Sequence, residues 1–129
     1  MNLTELSKQI YSEAKEKGYY RKVSEKGTGL MLIVGELSEA LEADRNARYA
    51  DLDCYKAEIE ADDVNEDKRE THNLIAYQDH IYGTFEEELA DSVIQLLSFC
   101  GSLGIDVDTY VKLKLDYNRS RPKLHGKKY

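Results

Sequence analysis

Residues 30–45 read LMLIVGELSEALEADR. An aliphatic run, Leu30 to Val34, passes directly into glutamates at 36, 39 and 42. At about 100° per residue, Glu36 and Glu39 subtend only about 60° of a helix and project together. Ile33, Val34, Leu37 and Leu41 centre roughly 115° from Glu36 on the same count. The spacing predicts a helix over 30–45, with an apolar stripe turned to the core and the Glu36/Glu39 pair at its edge. Glu42 has turned farther round and reads as solvated.

A second segment repeats the pattern. Residues 85–103, FEEELADSVIQLLSFCGSL, carry Glu88 and Asp91 three apart. Phe85, Leu89, Val93 and Leu96 centre roughly 95° from Glu88. Both acidic pairs are displaced from their apolar stripes in the same direction, so two packed helices would bring them face to face. One such pair alone is ordinarily a solvated helix face. Two at matching offset point to a shared site. Two unit charges ~5 Å apart cost about 3 kcal/mol at an effective dielectric near 20. A domain of this size has only ~5–15 kcal/mol of net stability. A converging cluster therefore calls for protons or a cation. All-oxygen ligands suit a hard ion, magnesium or alternatively manganese, and magnesium shares its shell with substrate phosphates.

The remaining pattern is helical too. The only proline is Pro122, and β-branched alternation is scarce. Leu3, Leu6 and Ile10 predict a first helix over 4–17, stopped by Gly18. Residues 19–29 read as a loop. Leu52, Tyr55 and Ile59 fall at helical spacing, as do Leu74, Ile75 and Gln78. Between them, 61–70 is highly charged and reads as a mobile turn. It lacks the glycine and the closing glutamate of a calcium loop. Thr84 with Glu87 forms a capping box for the second acidic helix, which ends near Gly104. A last helix starts at Asp106 or Asp108 and closes before Pro122. The expected architecture is one all-α domain over 1–129.

Composition narrows the function. Acids outnumber bases, 25 to 18, for a net charge of −7. A stable nucleic-acid binder needs a basic surplus that this chain lacks. The longest apolar run is far short of the ~20 residues of a membrane span, and the N-terminus has no signal-peptide core. Cys54 and Cys100 are isolated, which fits reduced thiols and a cytoplasmic location. His72, His80 and His125 lack the spacing of a helical metal pair and read as ordinary polar residues. In the last helix, Lys114 and Asn118 are i,i+4 neighbours and Arg121 lies near their stripe. Such a set suits phosphate contacts and a base edge. The alternative is a basic helix end that complements the macrodipole. Tyr117 is expected on a different face.

Taken together, LIVGELSEALEADR, FEEELADSVIQLLSFCGSLGID and KLKLDYNRSRPKLHGKKY resemble the MazG-like all-α nucleoside triphosphate pyrophosphohydrolases. The resemblance covers roughly 30–45 and 85–129. It implies a four-helix-bundle-like fold in which Glu36, Glu39, Glu88 and Asp91 hold magnesium. Water then attacks the α-phosphorus and releases pyrophosphate and a nucleoside monophosphate. It also implies substrate contacts from Lys114, Asn118 and Arg121, and a homodimer or homotetramer. Glu39 or Glu88, with the longer side chain, is favoured over Asp91 as general base. The chain departs from the family at Gly35, where many members have glutamate. It also carries a much longer link between the two pairs, with a helical or loop insertion over about 50–83. A dUTPase-like or phosphoribosyl-ATP pyrophosphohydrolase relative shares the metal logic. A non-catalytic helical module is the alternative outside enzymes.

Overall fold

The computed structural model describes residues 2–18, 26–61 and 63–123. The fold is all-α, with no strand among the described residues. The helices are α1 (Leu3–Glu16), α2 (Lys26–Arg45), α3 (Leu52–Ile59), α4 (Arg69–His80), α5 (Phe85–Ser102) and α6 (Val107–Ser120). A short 3₁₀ turn, Glu66–Lys68, precedes α4. No single described helix is long and apolar enough to cross a membrane. Helix α2 starts earlier than its aliphatic run: residues 26–29, expected as loop, are helical. The rest of that loop, 19–25, lies outside the described residues, as do His125 and most of the basic tail.

The chain divides into two compact units, 1–23 with 96–129, and 24–95. In the first, the N-termini of α1 and α6 are tied to each other. Asp108 accepts from the Leu3 and Thr4 amides at 3.0 and 2.9 Å. The Thr4 hydroxyl donates to Asp106 Oδ1 at 2.9 Å and accepts from the Asp108 amide at 3.0 Å. Asp106 is the N-cap of α6, accepting from Thr109 N. Asp108 therefore serves the facing helix, satisfying amides that α1 cannot satisfy itself. Ser7 is fully buried, and any Cβ at Gly101 would run into its carbonyl. Glycine is what lets α1 and α5 meet there.

In the second unit, α2 is closed just past its end by Ala47, which takes φ +51° so that the Arg48 amide can reach back to the Ala43 carbonyl at 2.9 Å. That is the left-handed close ordinarily given to glycine. The chain then leaves on the α3–α4 hairpin and returns to its starting point. Asp51 N donates to His80 O at 3.1 Å, Phe85 N to Arg48 O at 2.8 Å, and Ala50 N to Glu86 Oε2 at 2.8 Å.

The buried faces differ from those expected. In α2 the buried residues are Gly29, Ala40 and Ala43, and Ile33 and Glu36 are half-buried between them. This 4-3-4-3 spacing is a continuous seam that includes an acid. The aliphatic stripe faces outward: Leu30, Val34, Leu37 and Leu41 are each 47–49 % exposed. Helix α5 repeats this, with Ser92 buried, Glu88 and Gln95 half-buried, and Leu89, Val93 and Leu96 39–55 % exposed. Small residues hold most of the buried positions of the two helices, and Leu97 of α5, 5 % exposed, is the large aliphatic that joins them. In α4 the buried residue is Ala76, while Leu74 and Ile75, expected at helical core spacing, are exposed.

Candidate metal centre

Thr84, at the start of α5, is buried. Its hydroxyl accepts from the Glu87 amide at 3.4 Å, as a capping box requires. The reciprocal contact lands one residue further back: Glu87 Oε2 accepts from Gly83 N at 2.6 Å. Its other oxygen accepts from the Tyr77 hydroxyl at 2.6 Å. Both Glu87 oxygens are thus engaged, and this acid fixes the first turn of α5. Glu88 and Asp91 follow on the inner face.

One carboxylate oxygen each from Glu36, Glu88 and Asp91 lies within 4.8 Å of the others. Helices α2 and α5 therefore bring three of the four predicted acids together. Glu39 stands outside this set and is exposed, but its charge acts on all three. Burial, then Asp91 and Glu39, pushes Glu36 above its ordinary pKa. Burial, then Glu39, Glu87, Glu36 and Asp91, does the same to Glu88. Burial, then Glu87 and Glu39, raises Asp91. Desolvation and like charge both penalise the ionised form. These residues bind protons more tightly than free carboxylates do, and a cation relieves the same penalty. The donor set is all oxygen, which fits a hard divalent ion. Glu42 is exposed and accepts from the Asn46 amide at 2.9 Å, as a solvated residue would.

Lys114 and Asn118 lie on α6, with Arg121 as its C-cap, in the other unit. Lys114 Nζ lies 5.1 Å from the Tyr117 ring centre, and the Arg121 guanidinium lies 5.5 Å from it. Tyr117, expected on a different face, is the aromatic surface both cations share.

The hairpin contributes groups that sequence reasoning did not single out. Tyr77 bonds Glu87, and its hydroxyl is pushed up to about 12, first by burial and then by that carboxylate and the charge of Asp91. Tyr77 therefore adjoins the acidic cluster. The visible signal was Asn73 and Tyr77 at i,i+4, too common a pattern to stand out alone. No protein-family model, characterised protein or solved structure matches the chain.

Proposed function

We propose that this protein hydrolyses a nucleoside triphosphate, with magnesium, between the α and β phosphates, releasing a nucleoside monophosphate and pyrophosphate. One observation carries the reading: Glu36, Glu88 and Asp91, from two helices, present oxygens within 4.8 Å of one another despite their mutual repulsion. The resemblance of the acidic segments to MazG-like pyrophosphohydrolases supports the same chemistry.

When bound there, magnesium supplies neutralisation of triphosphate charge and a lowered pKa for water. The chain's own groups divide the rest. Glu36, Glu88 and Asp91 hold the ion. Glu39, outside that set yet within electrostatic reach of all three, accepts the proton of the attacking water. The water oxygen bonds to the α-phosphorus, the bond to the α–β bridging oxygen breaks, and pyrophosphate leaves with both electrons. Lys114 and Arg121 are assigned phosphate contacts on the resemblance, and Lys114→Met should raise KM more than it lowers kcat.

A second copy of the chain covers the outward stripe of α2. Leu30, Val34, Leu37 and Leu41 repeat at heptad spacing, and soluble monomers rarely leave such a stripe in water. A two-fold dimer is the simplest closed assembly, and a tetramer follows if the α5 stripe is covered as well.

The decisive assay is pyrophosphate release from a panel of ribo- and deoxyribonucleoside triphosphates in ¹⁸O water. Equal yields of monophosphate and pyrophosphate are expected, dependent on magnesium, with the label in the monophosphate. No pyrophosphate from any triphosphate at millimolar magnesium would sink the reading.

A further inference from the structure

Glu87 stands one residue before Glu88 and four before Asp91 on α5. At a spacing of four, its side chain and that of Asp91 are neighbours on one helix face. Like charges so placed repel, and an untethered carboxylate there turns away to solvent. Glu87 is tethered twice. Gly83 N donates to its Oε2 and the Tyr77 hydroxyl to its Oε1, both at 2.6 Å. It is held half-buried, and its charge acts on Asp91 and on Glu88. It does not belong to the three converging oxygens of Glu36, Glu88 and Asp91.

Helix capping explains only half of this arrangement. A capping box accepts either Glu or Gln at the third helical position, so the cap needs an acceptor and no charge. It also needs one donor, whereas Glu87 takes a second from Tyr77, on α4 of the inserted hairpin. The second tether gives the charge a fixed place. A carboxylate kept off an ion but close to its ligands strengthens cation binding through its negative potential. It uses no coordination position, which stays open to water or substrate. We infer that Glu87 is a non-ligating carboxylate of the metal centre, drawing the cation by its charge, and that Tyr77 is the positioning residue that keeps it beside Asp91. This inference rests on the reading of Glu36, Glu88 and Asp91 as metal ligands. It gives the inserted hairpin a part in cation binding although the hairpin supplies none of the three acids.

Manganese alone is the probe, with no nucleotide present. The full-length protein, stripped of metal, is titrated with Mn²⁺ while the free aquo ion is followed by electron paramagnetic resonance. Glu87→Gln keeps the cap and removes the charge, and should weaken binding about ten- to a hundredfold. Glu86→Gln removes the same charge from the same turn, where Glu86 bonds Ala50 N instead. It should weaken binding less than about twofold, since an exposed and more distant charge is screened. Tyr77→Phe keeps the charge but loosens it, and should weaken binding about threefold. Because Tyr77 acts through Glu87, Tyr77→Phe should add nothing in the Glu87→Gln background. Thermal melts in chelator verify folding, and Tyr77→Phe keeps the test open if Glu87→Gln does not fold. Unchanged affinity in Glu87→Gln, an equal loss in Glu86→Gln, or a further loss from Tyr77→Phe in the Glu87→Gln background overturns the inference. A wild type that binds no manganese removes the metal centre and this inference together. Manganese binding that depends on Glu87, without pyrophosphate release from any triphosphate, retains the inference and removes the hydrolase. Pyrophosphate release with metal affinity indifferent to Glu87 does the reverse.

Discussion

The seam between α2 and α5 and the α3–α4 hairpin are both rich in charge, yet they treat it in opposite ways. In the hairpin, charged and polar groups find partners within the element. Asp51 caps α3 through Cys54 N at 3.0 Å. Arg69 serves three carbonyls around the end of α3. His72 meets the Glu58 carbonyl at 2.9 Å, and His80 meets the Glu58 carboxylate at 2.7 Å. Only Asn73 Oδ1 is left over among its described buried side-chain atoms. In the seam, Glu36, Glu88 and Asp91 converge, and burial together with neighbouring carboxylates raises the pKa of each. Polar groups that satisfy one another build structure. Titratable groups that a fold holds together against repulsion are the candidates for a functional site.

The largest test of that contrast is Asp91→Asn. The side chain keeps its shape while a ligand and a source of repulsion are removed. Turnover should fall by orders of magnitude, since each ~1.4 kcal/mol of lost transition-state stabilisation is tenfold. In chelator the variant should melt at or above the wild-type temperature, because one contact repulsion is worth about 3 kcal/mol before screening. In millimolar magnesium the order should reverse, because only the wild type gains the full binding free energy. Melting curves that shift together in both buffers would make Asp91 an ordinary acid and erase the contrast.

Next in size is Leu37→Glu on the outward stripe. If a second copy covers Leu37, light scattering at micromolar concentration should report a dimer or tetramer for the wild type and a monomer for the variant. The acidic seam lies on the other side of α2, so magnesium binding should survive. A wild type that is already monomeric would count against the covered stripe.

Arg69→Met probes the hairpin. It leaves the carbonyls of Ile59, Ala61 and Val64 without their guanidinium. A loss of about 1–3 kcal/mol is expected, read as faster amide exchange in α3 and α4. Melts should show no magnesium-dependent reversal, which separates this variant from Asp91→Asn.

The smallest effect is the pH response of His80. The Glu58 hydrogen bond raises its pKa above the ordinary value near 6.5, against an opposing contribution from desolvation. A raised folded pKa means the stabilisation is complete below the unfolded value and is lost as pH rises through the folded one. Asp51, Asp79 and Glu58 are the charges that act on it. Amide protection in the hairpin, corrected for intrinsic exchange, should therefore be higher at pH 6 than at pH 8. His80→Gln should flatten the difference. A wild-type hairpin equally protected at both values would reduce the pair to a neutral hydrogen bond.

Sequence alone determined that the chain is helical and roughly where its helices lie, because capping, glycine stops and apolar spacing are local. Asp106, Thr84 and Gly104 act within a few residues of where they are read. It also determined that Glu36 shares a face with Glu39, and Glu88 with Asp91, which follows from the helical repeat alone. Tertiary structure decided which face is inside. Leu30, Val34, Leu37 and Leu41 have the pattern of a core stripe, and periodicity cannot tell a core from an outward stripe, since both are apolar at the same spacing. The Gly29, Ala40 and Ala43 seam escapes apolar periodicity because small residues carry little hydrophobic signal. The hairpin's interior was equally hidden: His72 and His80 read as ordinary polar residues, and Arg69 as part of a charged turn, until α3 placed carbonyls and a carboxylate against them. Only the fold brings residue 36 to residues 88 and 91, and that convergence turns two acidic faces into one cluster.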